Sequence, residues 1–368
     1  SILGTLQAGY TDFKFLSDTS KKIFDREALL GVSITGWMNN PDILFDEKIL
    51  QKGAEIVKEV NKEMAAIIGI NPAARTTCVK PSGNASVLLQ TASGIHAEHS
   101  NMYIRNVQMN KESEITQAIM KTNPYMVEDS VWSAGGTDVV VSFPILPKKG
   151  SMYKDDLLGV KHLELVKKAQ KHWVEAGTNE DLCADKGVRH NVSNTIIVDN
   201  WEEVEKYVFE NRHSFAGISF LAMTGDKDYN QAPNTAVITA NDMVKKYGNA
   251  AVFASGMVVD ALKCFNNLWD ACSTAKGFGE DLSLESSENA MKRDWIRRFG
   301  KFADNYLKSD TLLAEHCLKD AYLLHKWNKI QSTLKTVDWK EDIKERKYTD
   351  VDTLAAAACA GGACEIDF

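Results

Sequence analysis

The chain has 368 residues, 44% of them hydrophobic and 25% charged, with 43 basic against 50 acidic side chains and a net charge of −7. That is the composition of a soluble globular protein with ample length for a large core. The acidic balance argues against nucleic acid or a membrane surface as the main partner, and the longest uncharged apolar run, Ala250 to Val259, is far too short to span a bilayer. Seven cysteines without small-scaffold spacing fit a reducing cytosol. No secretory signal is present, so a cytoplasmic location is expected.

Ser1 leads straight into ILGTLQAGYTDF without an initiator Met. The expectation is a larger protein divided at this point, by a split gene, by splicing or by processing. Leu29–Gly36 reads as a buried strand, with Gly36 opening the turn after it. Asp46–Ile68 reads as a long amphipathic helix. Ile49, Ile56, Val60, Met64 and Ile67 recur on it at helical spacing, with a gap at Gly53. Asn71-Pro72 closes it. Arg75–Val79 is β-prone. Pro81, Ser82, Gly83 and Asn84 are turn residues, a short apolar helix follows over Val87–Gln90, and Gly94 is a natural stop. Such a turn points backbone N–H groups past the strand end, which suits an anion, phosphate above all. The Gly-Lys-Ser/Thr ending of a Walker loop is absent. An ordinary βα turn is the competing reading.

Ile104–Met109 and Asp138–Leu146 read as further strands, with a helix over 111–121 between them. A helix over 155–176, a strand over 191–198, a helix over 201–210 and a strand over 217–223 complete the alternation. Uncharged runs and short connections are the pattern of βαβ units on a mostly parallel sheet. From Thr239 onward the pattern is helical: 240–247, 253–272, 290–307 and 312–334. The stretch 338–352 is dense in charge of both signs and reads as a linker. The expected divisions are 1–238, 239–337 and 338–368.

The chain ends LAAAACAGGACEIDF. Cys359 and Cys364 have four residues between them, two of them glycine, so the pair can reach disulfide separation. An accessible reversible pair suits thiol–disulfide exchange; incidental cysteines on a frayed terminus are the competing reading. His96 and His99 lack further ligands at zinc spacing, and no metal site is expected. Cys78, Cys183, Cys264, Cys272 and Cys317 read as small hydrophobes. Trp295, Phe299, Phe302 and Tyr306 form an aromatic stripe at helical spacing, which reads as core.

VKPSGNAS, followed by SGIH and YIRNV, resembles the catalytic subunit of ribonucleotide reductases, in particular the ribonucleoside-triphosphate branch of the adenosylcobalamin-dependent class. The resemblance extends through LGTLQAGYTDF, REALLGVSITG, HNVSNTIIVD, YNQAPNT, FADNYL and HCLKDAYLLHKW, in consistent order along nearly the whole chain. It implies an α/β fold: the second half of a ten-stranded barrel with additional C-terminal helices and a flexible cysteine tail. It implies that Pro81, Ser82, Gly83, Asn84, Ala85 and Ser86 hold the phosphates of a ribonucleotide substrate. An anionic substrate needs a locally positive site against the net negative charge, and Arg75, Lys80 and Arg105 near the turn are the expected source. It implies that Cys359 and Cys364 re-reduce an active-site disulfide and are themselves reduced by a thioredoxin-like protein. Adenosylcobalamin is the implied cofactor, and an N-terminal half carrying the radical cysteine is the implied partner. Asn84 stands where many relatives have Thr, and Asn234 where they have a bulky aromatic. No adjacent tyrosines occur, which separates the chain from the iron-dependent class with its Tyr-Tyr dyad. The alternatives are a plain phosphate-binding α/β module and a thiol-redox partner without reductase activity.

Overall fold

A computed structural model describes residues 1–82, 84–223, 229–278 and 290–339. The strands among them are β1 (Val32–Ser33), β2 (Thr77–Cys78), β3 (Tyr103–Asn110), β4 (Val127–Asp129), β5 (Asp138–Ile145), β6 (Ile196–Val198), β7 (Phe220–Ala222) and β8 (Asn234–Ala236). The chain divides into two units, Ser1–Asn101 with Pro147–Gly225, and Met102–Leu146 with Asp226–Phe368.

The first unit is built on parallel strands. β1 pairs with β2, and β6 with β7. A parallel bridge between Val79 and Val192 joins the two pairs. It is closed by Val79 N–H to Asn191 O at 3.1 Å and Ser193 N–H to Val79 O at 2.8 Å. The spatial order is therefore β1, β2, the 192–198 segment, then β7. Parallel neighbours need crossovers, and helices supply them: Glu47–Ile68 between β1 and β2, Gly159–Ala169 before the third strand, and Trp201–Glu210 between β6 and β7.

The first crossover is capped as its sequence dictates. Asp46 accepts from Ile49 N–H at the start, and Gly69 takes φ 75° at the end. Its buried face differs from the expected one. Leu50, Ala54, Val57, Asn61 and Ala65 are buried, whereas Ile49, Ile56 and Ile67 are exposed. Small side chains let this helix approach its neighbours closely. A Cβ on Gly53 would stand 3.3 Å from the Trp173 ring, which accounts for the gap in the apolar pattern. Buried Asn61 is satisfied by Thr5 Oγ1 and Ala73 N–H.

The helix Gly159–Ala169 continues as a π-helical turn, Gln170–Glu175. Such a turn frees carbonyls from the α pattern. Thr77 Oγ1 donates to Trp173 O at 2.7 Å, and Trp173 Nε1 donates to Cys78 O at 3.0 Å. β2 is thus tied by side chains to the turn beside it. Trp37, Leu50, Val79, Ile95, Leu163 and Trp173 belong to the core of this unit.

The second unit holds an antiparallel sheet in the order β4-β5-β3-β8. β3 and β5 pair along their full length, from Tyr103↔Ile145 to Asn110↔Asp138. This corrects the expectation of a mostly parallel sheet: the two strands form where the sequence predicts them, but they pair antiparallel to each other. β-propensity marks a strand without stating the direction of its partner. The helices Ala240–Tyr247, Ala250–Cys264, Leu268–Phe278, Ala290–Tyr306 and Thr311–Thr333 follow. The single helix expected over 253–272 is two, parted at Phe265–Asn267. Trp295, Phe299 and Phe302 are buried in the core of this unit, while Tyr306 lies at its surface against Phe253. No helix among the described residues is long and apolar enough to cross a membrane.

Candidate functional site

The carboxyl ends of β1 and β2 lie side by side, because the strands are parallel and in register. Ligands of open α/β sheets bind in such positions. Beyond β2 come Lys80, Pro81 and Ser82, and then the short helix Asn84–Leu88. Lys80 and Pro81 are exposed, Ser82 is half-buried, Ala85 is exposed and Ser86 is buried. Gly83 lies outside the described residues. The turn closes on itself, with Ala85 N–H donating to Ser82 O at 2.9 Å. That amide is therefore engaged within the turn.

The strand ends are joined by side chains. Ser33 Oγ accepts from Lys80 N–H at 2.9 Å. Thr35 Oγ1 lies 2.6 Å from Ser82 Oγ, donates to Ala92 O at 2.9 Å, and accepts from Gly94 N–H at 2.9 Å. Gly94 has φ +56°, and a Cβ there would stand 2.7 Å from Lys80 O. The glycine read from sequence as a helix stop is also a close-approach position against the turn.

Asn39 braces the same loop from behind. Its Oδ1 accepts from Thr91 Oγ1 and Ala92 N–H, each at 2.6 Å. Its Nδ2 donates to Glu98 Oε1 at 2.8 Å and Ser151 Oγ at 2.9 Å. Asn39 and Glu98 are both buried. His162 Nε2 lies 3.1 Å from Ile95 O, and burial pushes this imidazole down to about 4. His99 Nδ1 lies 3.0 Å from Lys154 Nζ.

Charge near the turn differs from expectation. Arg75 is buried and committed elsewhere: it pairs with Glu27 at 2.7 Å and donates to Asp185 O and Val188 O. Glu27 is held below the usual carboxylate range by its hydrogen bond from Arg26, with Arg75 adding to it against the opposing effect of burial. A guanidinium satisfied on three sides serves the fold. Arg105 belongs to β3 of the other unit. Lys80 remains exposed beside the turn.

Cys78 is buried beneath the turn, and burial raises its thiol. Cys272 and Cys317 are pushed up to about 12, chiefly by burial. Thiols held protonated are poor nucleophiles, in keeping with their reading as small hydrophobes. Cys359 and Cys364 lie outside the described residues.

No family model matches the chain. A protein of Dictyostelium discoideum, named a probable adenosylcobalamin-dependent ribonucleoside-triphosphate reductase, is 28% identical over 123 residues, 33% of this chain and 16% of that protein. The adenosylcobalamin-dependent ribonucleoside-triphosphate reductase of Euglena gracilis is 23% identical over 224 residues, 59% of this chain and 28% of that one. This chain is similar in sequence to adenosylcobalamin-dependent ribonucleoside-triphosphate reductases. Its mixed helix-and-sheet fold matches the crystal structure of a B12-dependent, class II ribonucleotide reductase. The TM-score is 0.52 with 16% identity, over 61% of this chain and 34% of the other. The chain thus spans less than a third of either curated relative and about a third of the solved structure.

Thr35 and Asn39 carry no motif in the sequence that marks them for this site. The signal available was the position of Thr35 at the end of an apolar strand, directly before Gly36, where a hydroxyl faces the neighbouring strand end.

Proposed function

We propose that this chain is the C-terminal part of a ribonucleoside-triphosphate reductase that replaces the ribose 2′-OH by hydrogen. Pro81, Ser82, Gly83, Asn84, Ala85 and Ser86 hold the substrate phosphates, with Lys80 supplying positive charge. Cys359 and Cys364 carry reducing equivalents from a thioredoxin-like protein to an active-site disulfide. The radical cysteine and its surroundings come from an N-terminal half, which with the parallel strands here completes a ten-stranded barrel. Adenosylcobalamin supplies the initiating radical when bound.

One observation carries the reading. In a chain similar in sequence to triphosphate reductases, the turn after β2 lies at the carboxyl end of a central parallel strand, braced by residues from the next strand end. The exposed apolar side chains of the outer strands, Leu29 before β1 and Phe220, Leu221 and Met223 at β7, support a partner that continues the sheet.

The test is calorimetric titration of this chain joined to its N-terminal half. A ribonucleoside triphosphate is expected to bind more tightly than the nucleoside. Ser82→Pro is expected to weaken the triphosphate alone, because it removes an amide donor and distorts the turn. Equal affinities for nucleoside and triphosphate would overturn the assignment.

A further inference from the structure

The hydrogen-bond inventory at Thr35 fixes where one proton points. A threonine hydroxyl has a single proton and two lone pairs. Ala92 O can only accept, so the Thr35 proton goes there. Gly94 N–H can only donate, so it takes one lone pair of Thr35. The remaining contact, Ser82 Oγ at 2.6 Å, must then be a donation from Ser82 to Thr35. The one hydroxyl proton of Ser82 is already engaged.

We infer that Thr35 is a positioning residue for the anion turn: it holds Ser82 and the 92–94 loop in place, and Ser82 contributes its backbone to phosphate recognition while its hydroxyl is turned inward to Thr35. This rests on the phosphate reading of the turn. Through one oxygen Thr35 joins two segments that approach each other at Gly94 and Lys80. Asn39 closes the other side of the loop with all four of its side-chain bonding positions in use. Such a support keeps backbone donors oriented before the anion arrives, which is how preorganisation raises affinity.

The experiment uses this chain joined to its N-terminal half, as in the titration above, with tripolyphosphate as probe. Affinity is measured by calorimetry, and exchange of the Gly94 amide proton is measured without ligand. Thr35→Val keeps the shape and removes the hydroxyl. It is expected to weaken tripolyphosphate about tenfold and to speed Gly94 exchange about tenfold. Thr35→Ser restores the hydroxyl and is expected to restore both to within about threefold. Ser82→Ala breaks the Thr35–Ser82 link from the other side and is expected to weaken tripolyphosphate about as much as Thr35→Val, while leaving Gly94 exchange within about threefold because the Thr35 bonds to Ala92 and Gly94 remain. Should Thr35→Val fail to fold, Thr35→Ser and Ser82→Ala still carry the comparison. Unchanged Gly94 exchange in folded Thr35→Val, or unchanged tripolyphosphate affinity in folded Ser82→Ala, overturns the inference. Absence of tripolyphosphate binding to the unsubstituted chain overturns the phosphate reading instead. The ligand-free exchange measurement tells the two failures apart.

Discussion

A Cβ on residue 177 would clash with Thr77 Oγ1, so Gly177, just past the π-helical turn, packs directly against β2. Two hydrogen bonds hold these segments together, Thr77 Oγ1 to Trp173 O and Thr76 Oγ1 to Gly177 O. Gly177→Ala is therefore expected to destabilise the fold by about 1–3 kcal/mol, the usual range for overpacking a close-packed interior. Adding Thr77→Ala relieves the clash, and the double variant should be more stable than the sum of the two single losses predicts. Urea denaturation of the four proteins measures the coupling. Strict additivity would mean that the two residues do not meet.

The buried His162 makes stability depend on pH. Its folded value of about 4 lies below the ordinary 6.5, because burial disfavours the imidazolium. The unfolded chain therefore binds more protons between those two values. By linkage, stability is full above about pH 6.5 and falls as the pH drops toward 4, by roughly 3 kcal/mol at most from this group. His162→Asn should flatten that part of the curve. Denaturant midpoints at pH 7, 5.5 and 4.5 for both proteins supply the check. Parallel curves would assign the acid sensitivity to other groups.

How much of this was legible in the sequence follows from the range of each interaction. The crossover helices were readable because their signals are local: Asp46 and Gly69 cap one, and Asn200 caps another. The face that each buries was less readable. Large isoleucines dominate the apolar pattern of Glu47–Ile68, yet Ala54 and Ala65 lie inside and Ile67 outside, since close approach selects for small volume. Strand direction could not be read for β3 and β5, because propensity carries no partner. The turn after β2 stands out in the sequence through its Pro-Ser-Gly-Asn chemistry. Its support does not, since Thr35 and Ser82 are 47 positions apart and meet only through the crossover between their strands. Arg75 misled for the same reason: a basic residue near an anion turn in sequence is held by Glu27, 48 positions away.

The tail prediction rests on sequence spacing and on the proposed function. In the enzyme reconstituted with its N-terminal half, Cys359→Ser or Cys364→Ser should abolish turnover driven by thioredoxin. A single round of product from pre-reduced enzyme should survive, because the tail only recharges the site. A small dithiol should restore part of the turnover by direct exchange. Full thioredoxin-driven turnover in the double variant would remove the shuttle from the proposal.

The chain alone is expected to make no deoxynucleotide. Reductases of the resembled kind carry the radical cysteine in an Asn-x-Cys-x-Glu context, and this sequence contains no such segment. The nearest look-alike ends at Cys183, which is buried with its thiol against Asn179 O and Ala74 O. Cys78, Cys272 and Cys317 are likewise buried, with their thiols raised by desolvation. The outer strand β7 meanwhile presents Phe220 and Leu221 to solvent, an arrangement that favours association over catalysis by the isolated chain. Residues 1–368 should therefore be assayed alone and again with the N-terminal half, each with adenosylcobalamin, a ribonucleoside triphosphate and dithiol. Product is expected only from the mixture, together with a change in sedimentation as the two parts combine. Sustained deoxynucleotide synthesis by this chain as a verified monomer would refute its place as one part of a divided enzyme.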